Sequence, residues 1–151
     1  RSVPSDRFLK MMNRVHRSLL KGSGGKLGWA AAGMPVLELT TIGRKSGQPR
    51  SVMLTSPHRE GDAVVIVASK GGEDSHPAWF LNLRENPTVV VSMKDDLNRK
   101  MVARVASPGE RQRLWPIVTG SYANYANYQE KTEREIPLVV LEPADKAKPP
   151  G

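Results

Sequence analysis

Four short stretches of this sequence concentrate the residue types that do chemistry. The first is Thr40-Thr41-Ile42-Gly43-Arg44-Lys45-Ser46-Gly47-Gln48-Pro49-Arg50. Three cations stand there among two glycines and several hydroxyls. Fixed charge plus directional N–H and O–H donors is what a phosphate or a carboxylate cluster requires. The spacing is not that of a Walker loop, in which four residues separate the first glycine from a closing Gly-Lys-Ser/Thr. A solvated hairpin tip has the same composition, and the residues alone admit both readings. The second stretch is Ala68-Ser69-Lys70-Gly71-Gly72, at the end of an apolar run. It suits an anion nest or an ordinary turn.

The third stretch, His76 to Pro87, places Trp79 and Leu83 on one helical face and Asn82 with Glu85 on another. The plainest role for Trp79 is core packing, and Trp115 shares it. The fourth is Ser121-Tyr122-Ala123-Asn124-Tyr125-Ala126-Asn127-Tyr128. It holds every tyrosine of the chain, three residues apart, which on a helix makes one aromatic edge carrying hydroxyls. No metal site is expected, because His16, His58 and His76 are scattered without carboxylates at ligand spacing. No Ser/His/Asp order stands out. The absence of cysteine excludes disulfides and thiol catalysis, and it suits a reducing cytoplasm.

Charge narrows the partners. The 151 residues carry 23 Lys and Arg against 15 Asp and Glu, a net charge of +8. Such an excess favours nucleic acid, anionic lipid or a multiply charged small molecule. The longest aliphatic run, Ala63 to Ala68, is far short of the roughly 20 residues that a membrane-spanning helix needs. The first residues show no continuous apolar leader, so the expected location is the cytoplasm.

These stretches need elements to position them. Residues 5–21 read as an amphipathic helix, with Phe8, Met12, Val15 and Leu19 on one face. Arg7, Lys10, Arg14, Arg17 and Lys21 lie opposite. That helix either covers an end of the body or lies on an anionic membrane, at the inner face of the cell membrane. Glycines over Lys21–Gly28 end it. Period-two patterning and turn signals predict six strands: 35–41, 50–56, 63–68, 88–93, 100–106 and 137–142. Helices are expected at 77–85 and from Ser107, whose Ser-Pro-Gly-Glu opens as a capping box. Pro116 kinks or shortens the second. A hairpin at Asp95–Asn98 and short connections imply an antiparallel sheet closing into a small barrel. The expected organisation is one domain over residues 1–143 and a disordered tail over 144–151.

Five segments together resemble the deazaflavin-dependent nitroreductase family of actinobacteria, above all mycobacteria. They are LTTIGRKSGQPR (39–50), VIVASKGG (65–72), PAWFLNLRENP (77–87), the tyrosine segment 122–128 and IPLVVLEP (136–143), in family order and spacing. The resemblance implies a mainly β, α+β fold: a six-stranded antiparallel split β-barrel of the FMN-binding, pyridoxamine-phosphate-oxidase-like type with flanking helices. It implies an oxidoreductase that binds coenzyme F-420 and passes a hydride to an electron-poor acceptor such as a quinone, enone or nitro compound. Arg44, Lys45 and Ser46 would contact the phosphate region, with Arg50, Ser51, Val52, Met53, Leu54 and Thr55 lining one side. Val67, Ala68, Ser69 and Lys70 would form the next wall, and Ala78, Trp79 and Asn82 would close the groove. Tyr125 would contact the deazaflavin, with Tyr122 and Tyr128 beside the substrate. Tyr125, Tyr128 and Ser69 are the candidate proton donors. Met53-Leu54-Thr55 replaces the Pro-Leu-Tyr common in the family, which implies a pocket of different shape and polarity. An FMN-dependent split barrel is the alternative enzyme, and it explains the basic clusters less well because FMN carries fewer negative charges. A basic nucleic-acid-binding barrel is a weaker third reading, since its strands would set aromatics among basic residues and these strands carry almost none. A dimer is compatible with all of these.

Overall fold

A computed structural model describes residues 30–31, 34–94 and 96–145. The helix expected over 5–21 and its glycine hinge lie outside the described residues. Eight strands occur among those described: β1 (Ala30–Ala31), β2 (Met34–Ile42), β3 (Pro49–Thr55), β4 (His58–Glu60), β5 (Ala63–Val67), β6 (Thr88–Met93), β7 (Asp96–Val105) and β8 (Leu138–Pro143). Three helices accompany them: α1 (Ala78–Glu85), α2 (Pro108–Ser121) and α3 (Asn124–Glu130). The sheet runs β1-β2-β6-β7-β8-β5-β4, with β3 paired to β2, and every ladder is antiparallel. This is a curled split barrel. Ser56 stitches the split: its N–H donates to Pro35 O at 2.9 Å and its hydroxyl to Val65 O at 2.8 Å.

Two strands exceed the six expected. β1 has two residues, and β4 is three polar residues with no hydrophobic period to betray it. β4 forms because the Glu60–Ala63 turn returns it onto β5 and Arg113 clamps Glu60 through two hydrogen bonds, of 2.6 and 3.0 Å. β7 begins at Asp96 rather than 100, so the turn is tighter than expected, and Asn98 takes a left-handed φ of 55° beside a register shift in β6.

The valine-rich strands are buried on both faces, which is why they read as runs rather than alternations. Val64, Ile66, Val139 and Leu141 point into the barrel, where Leu37, Leu39, Val89, Val91 and Met101 meet Trp79, Phe80 and Leu83 of α1. The alternate residues Val65, Val67, Leu138 and Val140 point outward under Leu114 and Val118 of α2 and Tyr125 of α3. Helix α2 starts on the expected capping box: Glu110 N–H donates to Ser107 Oγ and Ser107 N–H to Glu110 Oε1. Pro116 does not shorten it, since the helix continues to Ser121. The tail expected from residue 144 starts tied down, as Ala144 N–H donates to Lys100 O at 3.2 Å; residues 146–151 lie outside the described residues.

The start of α2 is also an electrostatic joint. Arg104 of β7 donates to Glu110 and, at 3.0 Å, to Glu142 of β8. The guanidinium and the cap hydrogen bond hold the Glu110 carboxyl at about 2, below its ordinary 4.5. A depressed folded-state value gives stability that is complete above the ordinary value and lost as pH falls through the folded one. Melts are therefore expected to lose stability between about pH 4.5 and 2, and less steeply in Glu110→Gln. Superimposable pH profiles for the two proteins would contradict this.

Candidate functional site

The site starts at the β2–β3 hairpin. Gly43 N–H donates to Gln48 O and Gly47 N–H to Gly43 O, each at 2.8 Å, so the tip closes tightly after Ile42 pairs with Pro49. Gly47 carries a φ of 71°, and a Cβ on Gly43 would lie 2.5 Å from Ser46 Oγ. The left-handed φ favours glycine at 47, and a side chain at Gly43 would displace the Ser46 hydroxyl. The turn leaves Arg44, Lys45 and Ser46 exposed at its tip.

Asn82 of α1 fixes that tip. Its Oδ1 accepts from Arg44 N–H at 3.1 Å and Arg44 Nη1 at 3.2 Å, while its Nδ2 donates to Thr41 Oγ1 at 3.2 Å. Asn82 is only 5% exposed, so these bonds satisfy an amide that would otherwise be costly to bury. Between the hairpin and α1 lies a cavity of about 250 Å³ lined by Thr41, Gly43, Arg44, Lys45, Ser46, Arg50, Val52, Ala78, Trp79 and Asn82. The arrangement puts Arg44, Lys45 and Arg50 around a groove that includes the buried Trp79 ring. Its donor chemistry suits a ligand with an anionic end and an aromatic or apolar body.

A second group forms where β5 leaves the sheet. Ser69 is nearly buried, and the next three residues are left-handed: Lys70 at φ 46°, Gly71 at 64° and Gly72 at 86°. A Cβ on Gly72 would sit 2.7 Å from Tyr128 O, so this turn packs directly on α3. Lys70 reaches Ser75 Oγ at 3.2 Å from an exposed position. Tyr128 is half-buried beneath Lys131, whose Nζ is 5.7 Å from the ring centroid, and its ring meets that of Tyr125 edge-on at 6.1 Å.

The structure thus gathers Arg44, Lys45, Ser46, Arg50, Val52, Ala78, Trp79 and Asn82 in one groove, whereas Ser51, Met53, Leu54, Thr55, Val67, Ala68, Ser69, Lys70, Tyr125 and Tyr128 are not among the residues that line it. Ser51 Oγ pairs with Thr40 Oγ1 at 2.7 Å, Met53 is 41% exposed, and Leu54 packs against the barrel core. Val67 lies in the outer core and Ala68 in the inner one. Tyr125 differs from expectation. Its segment reads as an Asn- and Ala-rich edge where truncation opens little core, yet the ring is 5% exposed and belongs to the outer core. Docking of α3 onto β5 and β8 buries it. Its hydroxyl meets Thr55 Oγ1 at 3.2 Å and donates to Met34 Sδ at 3.5 Å. Burial pushes its pKa up, so the phenol keeps its proton at neutral pH. Thr41 and Gly43, quoted in the basic stretch but given no role, also line the groove. Among the described residues there is no His, Cys, Asp and Glu group that could hold a metal.

Comparison with known proteins gives one consistent result. The sequence model of a family described as F420H(2)-dependent quinone reductase matches residues 11–143. An F420H(2)-dependent quinone reductase of Mycobacterium tuberculosis is 42% identical over 132 residues, covering 85% of this chain and 87% of that protein. A solved structure of an F420-H2 dependent reductase (FDR-A) is 40% identical, with a TM-score of 0.64 over 72% of this chain and 94% of its own. Another, described as a domain-swapped dimer, is 35% identical with a TM-score of 0.66, covering 87% of this chain and 96% of its own.

The burial of Tyr125 has a measurable consequence. Removing its ring in Tyr125→Ala is expected to cost about 3–5 kcal/mol in denaturant melts. Tyr125→Phe, which loses only the hydroxyl's hydrogen bond, is expected to cost about 1 kcal/mol. An alanine variant as stable as the parent would contradict the core position of the ring.

Proposed function

The chain belongs to the F420H(2)-dependent quinone reductase family, and from that premise we propose that the groove between the β2–β3 hairpin and α1 holds the coenzyme. The protein is an oxidoreductase that uses coenzyme F-420 to reduce quinone-type acceptors. The observation that carries the site assignment is the Asn82-pinned tip, which holds Arg44 and Lys45 beside Arg50 at the groove. When bound, reduced F-420 supplies a hydride; the rest of the work is done by side chains. Arg44, Lys45, Ser46 and Arg50 bind the phosphate and carboxylate end, where charge-assisted contacts are strongest. Trp79 and Val52 supply apolar surface that excludes water. Ser69 and Lys70 form the neighbouring wall. The acceptor anion left by hydride transfer takes up one proton, and Tyr128 Oη, Tyr125 Oη and Ser69 Oγ are the proposed donors. Tyr128 is the more accessible phenol, since Tyr125 is 5% exposed.

Two partners follow from the same reading. A second copy of the chain is the proposed protein partner, in line with the dimeric structural relative. The amphipathic segment 5–21 is the proposed contact with an anionic membrane surface, where lipophilic quinones reside; five basic residues at about 1 kcal/mol each suffice for weak binding. No helix among the described residues is long and apolar enough to cross a membrane.

Coenzyme binding is tested by titrating the protein with F-420, FMN and single-stranded DNA at low and high salt. F-420 is expected to bind most tightly, with an affinity that weakens as salt screens the groove. Lys45→Glu is expected to lower that affinity at least about tenfold, because a charge-assisted contact of roughly 1.5–3 kcal/mol becomes a repulsion. Unchanged F-420 affinity in this variant would overturn the groove assignment. Membrane contact is tested by co-sedimentation with anionic vesicles. The full chain is expected to pellet and a chain starting at Gly22 is not, with pelleting reduced in high salt. Equal pelleting of the two chains would contradict the contact.

A further inference from the structure

Arg134 lies in the connection between α3 and β8, inside a charged run that motif reading passes over. Its guanidinium is committed to the protein rather than to solvent. Nε donates to Glu73 O at 2.8 Å, Nη2 to Ser69 O at 2.9 Å and Nη1 to Ala68 O at 3.3 Å. Nη1 also meets His76 Nδ1 at 3.1 Å. As Arg134 has only donors, His76 accepts there and carries its proton on Nε2. Burial and the Arg134 charge push the His76 pKa down, which keeps that acceptor available.

The bonded groups span the loop from Ala68 to His76. Within it stand the three consecutive left-handed residues Lys70, Gly71 and Gly72, a conformation that Lys70 adopts only under constraint. Just beyond it, Pro77 leads into α1. Arg134 is itself held, because Gln129 of α3 donates through Nε2 to Arg134 O at 2.7 Å and accepts from Ile136 N–H at 2.8 Å. A planar fork with several donors can span separate carbonyls; a lysine ammonium cannot do so in one geometry.

We propose that Arg134 is a positioning residue for coenzyme binding: it clamps the Ala68–His76 loop so that the Ser69–Lys70 wall and the start of α1 face the groove together. This rests on the reading of Ser69 and Lys70 as a coenzyme wall. Arg134 acts through the loop and has no assigned contact with coenzyme or acceptor.

The test compares Arg134→Met, Arg134→Lys and Lys70→Gln with the parent. The readouts are F-420 affinity by fluorescence titration, hydrogen exchange over residues 68–76, and KM for coenzyme against kcat. Arg134→Met is expected to weaken F-420 binding roughly tenfold, as small misplacements of binding groups do. It should also speed exchange over 68–76 and raise KM far more than it lowers kcat. Arg134→Lys is expected to recover only part of the affinity. Arg134→Met with lowered melting temperature but unchanged F-420 affinity would overturn the proposal, as would full recovery by lysine, which would mean that charge alone suffices. Should Arg134→Met fail to fold, Arg134→Lys decides by the same criterion: partial loss of affinity supports the clamp and parental affinity overturns it. Lys70→Gln separates the two ideas. Weaker binding in Lys70→Gln with parental binding in the Arg134 variants removes the clamp and leaves the wall. Parental binding in all three removes the wall itself.

Discussion

One buried amide couples the two halves of the groove. Asn82 joins α1 to the β2–β3 hairpin through Thr41 and through both the backbone and the guanidinium of Arg44. The placement of Arg44 and of the hairpin tip depends on this contact. A hairpin tip carrying Arg44 and Lys45 would otherwise hold its charge on flexible stems in water, where an ion contact is worth little. Pinned by a side chain that is itself locked among core residues, the tip presents its cations from a defined place. α1 can serve as the anchor because Trp79, Phe80 and Leu83 seat it on the barrel core. The apolar patterning of the strands, which seats the helix, thereby sets the position of charges that no strand carries.

The net charge of +8 acquires a direction from this geometry. Other described arginines are spent on structure: Arg104 on Glu110 and Glu142, Arg113 on Glu60, Arg111 on Ile136 O and Gln129. At the groove, Arg44, Lys45 and Arg50 line the cavity, and Asn82 orients Arg44. The β5 exit turn is pressed against α3 at Gly72, and the rings of Tyr125 and Tyr128 in that helix meet edge-on. In the proposed reading, the anionic tail of the coenzyme lies at these cations and its flat redox ring toward Trp79.

Most of the fold was legible because the strands are rich in β-branched residues and bounded by glycine and proline. The Ser107 capping box announced α2 to the residue. Arg44, Lys45, Ser46, Arg50, Ala78, Trp79 and Asn82 were legible as one site through the family resemblance, since residues 28 or more positions apart cannot be joined by spacing. What escaped was decided by tertiary contact. β4 has no apolar pattern and exists through its turn and Arg113. The polar start of β7 reads as loop because neither face of Asp96–Asn98 is buried. Tyr125 reads in sequence as part of an Asn- and Ala-rich segment whose truncation opens little core, and only the docking of α3 turns it into core. Arg134 carries no motif at all; its hydrogen-bond partners are carbonyls contributed by a segment some 60 residues earlier.

The central claim is that the hairpin tip, the β5 exit turn and the start of α1 form one coenzyme-binding surface. Amide hydrogen exchange of the protein with and without F-420 tests it most directly. The account predicts slower exchange confined to residues 43–50, 68–73 and 78–82 when coenzyme is added, with α2 and β4 unchanged. Protection elsewhere, or none in the hairpin at saturating coenzyme, would contradict it.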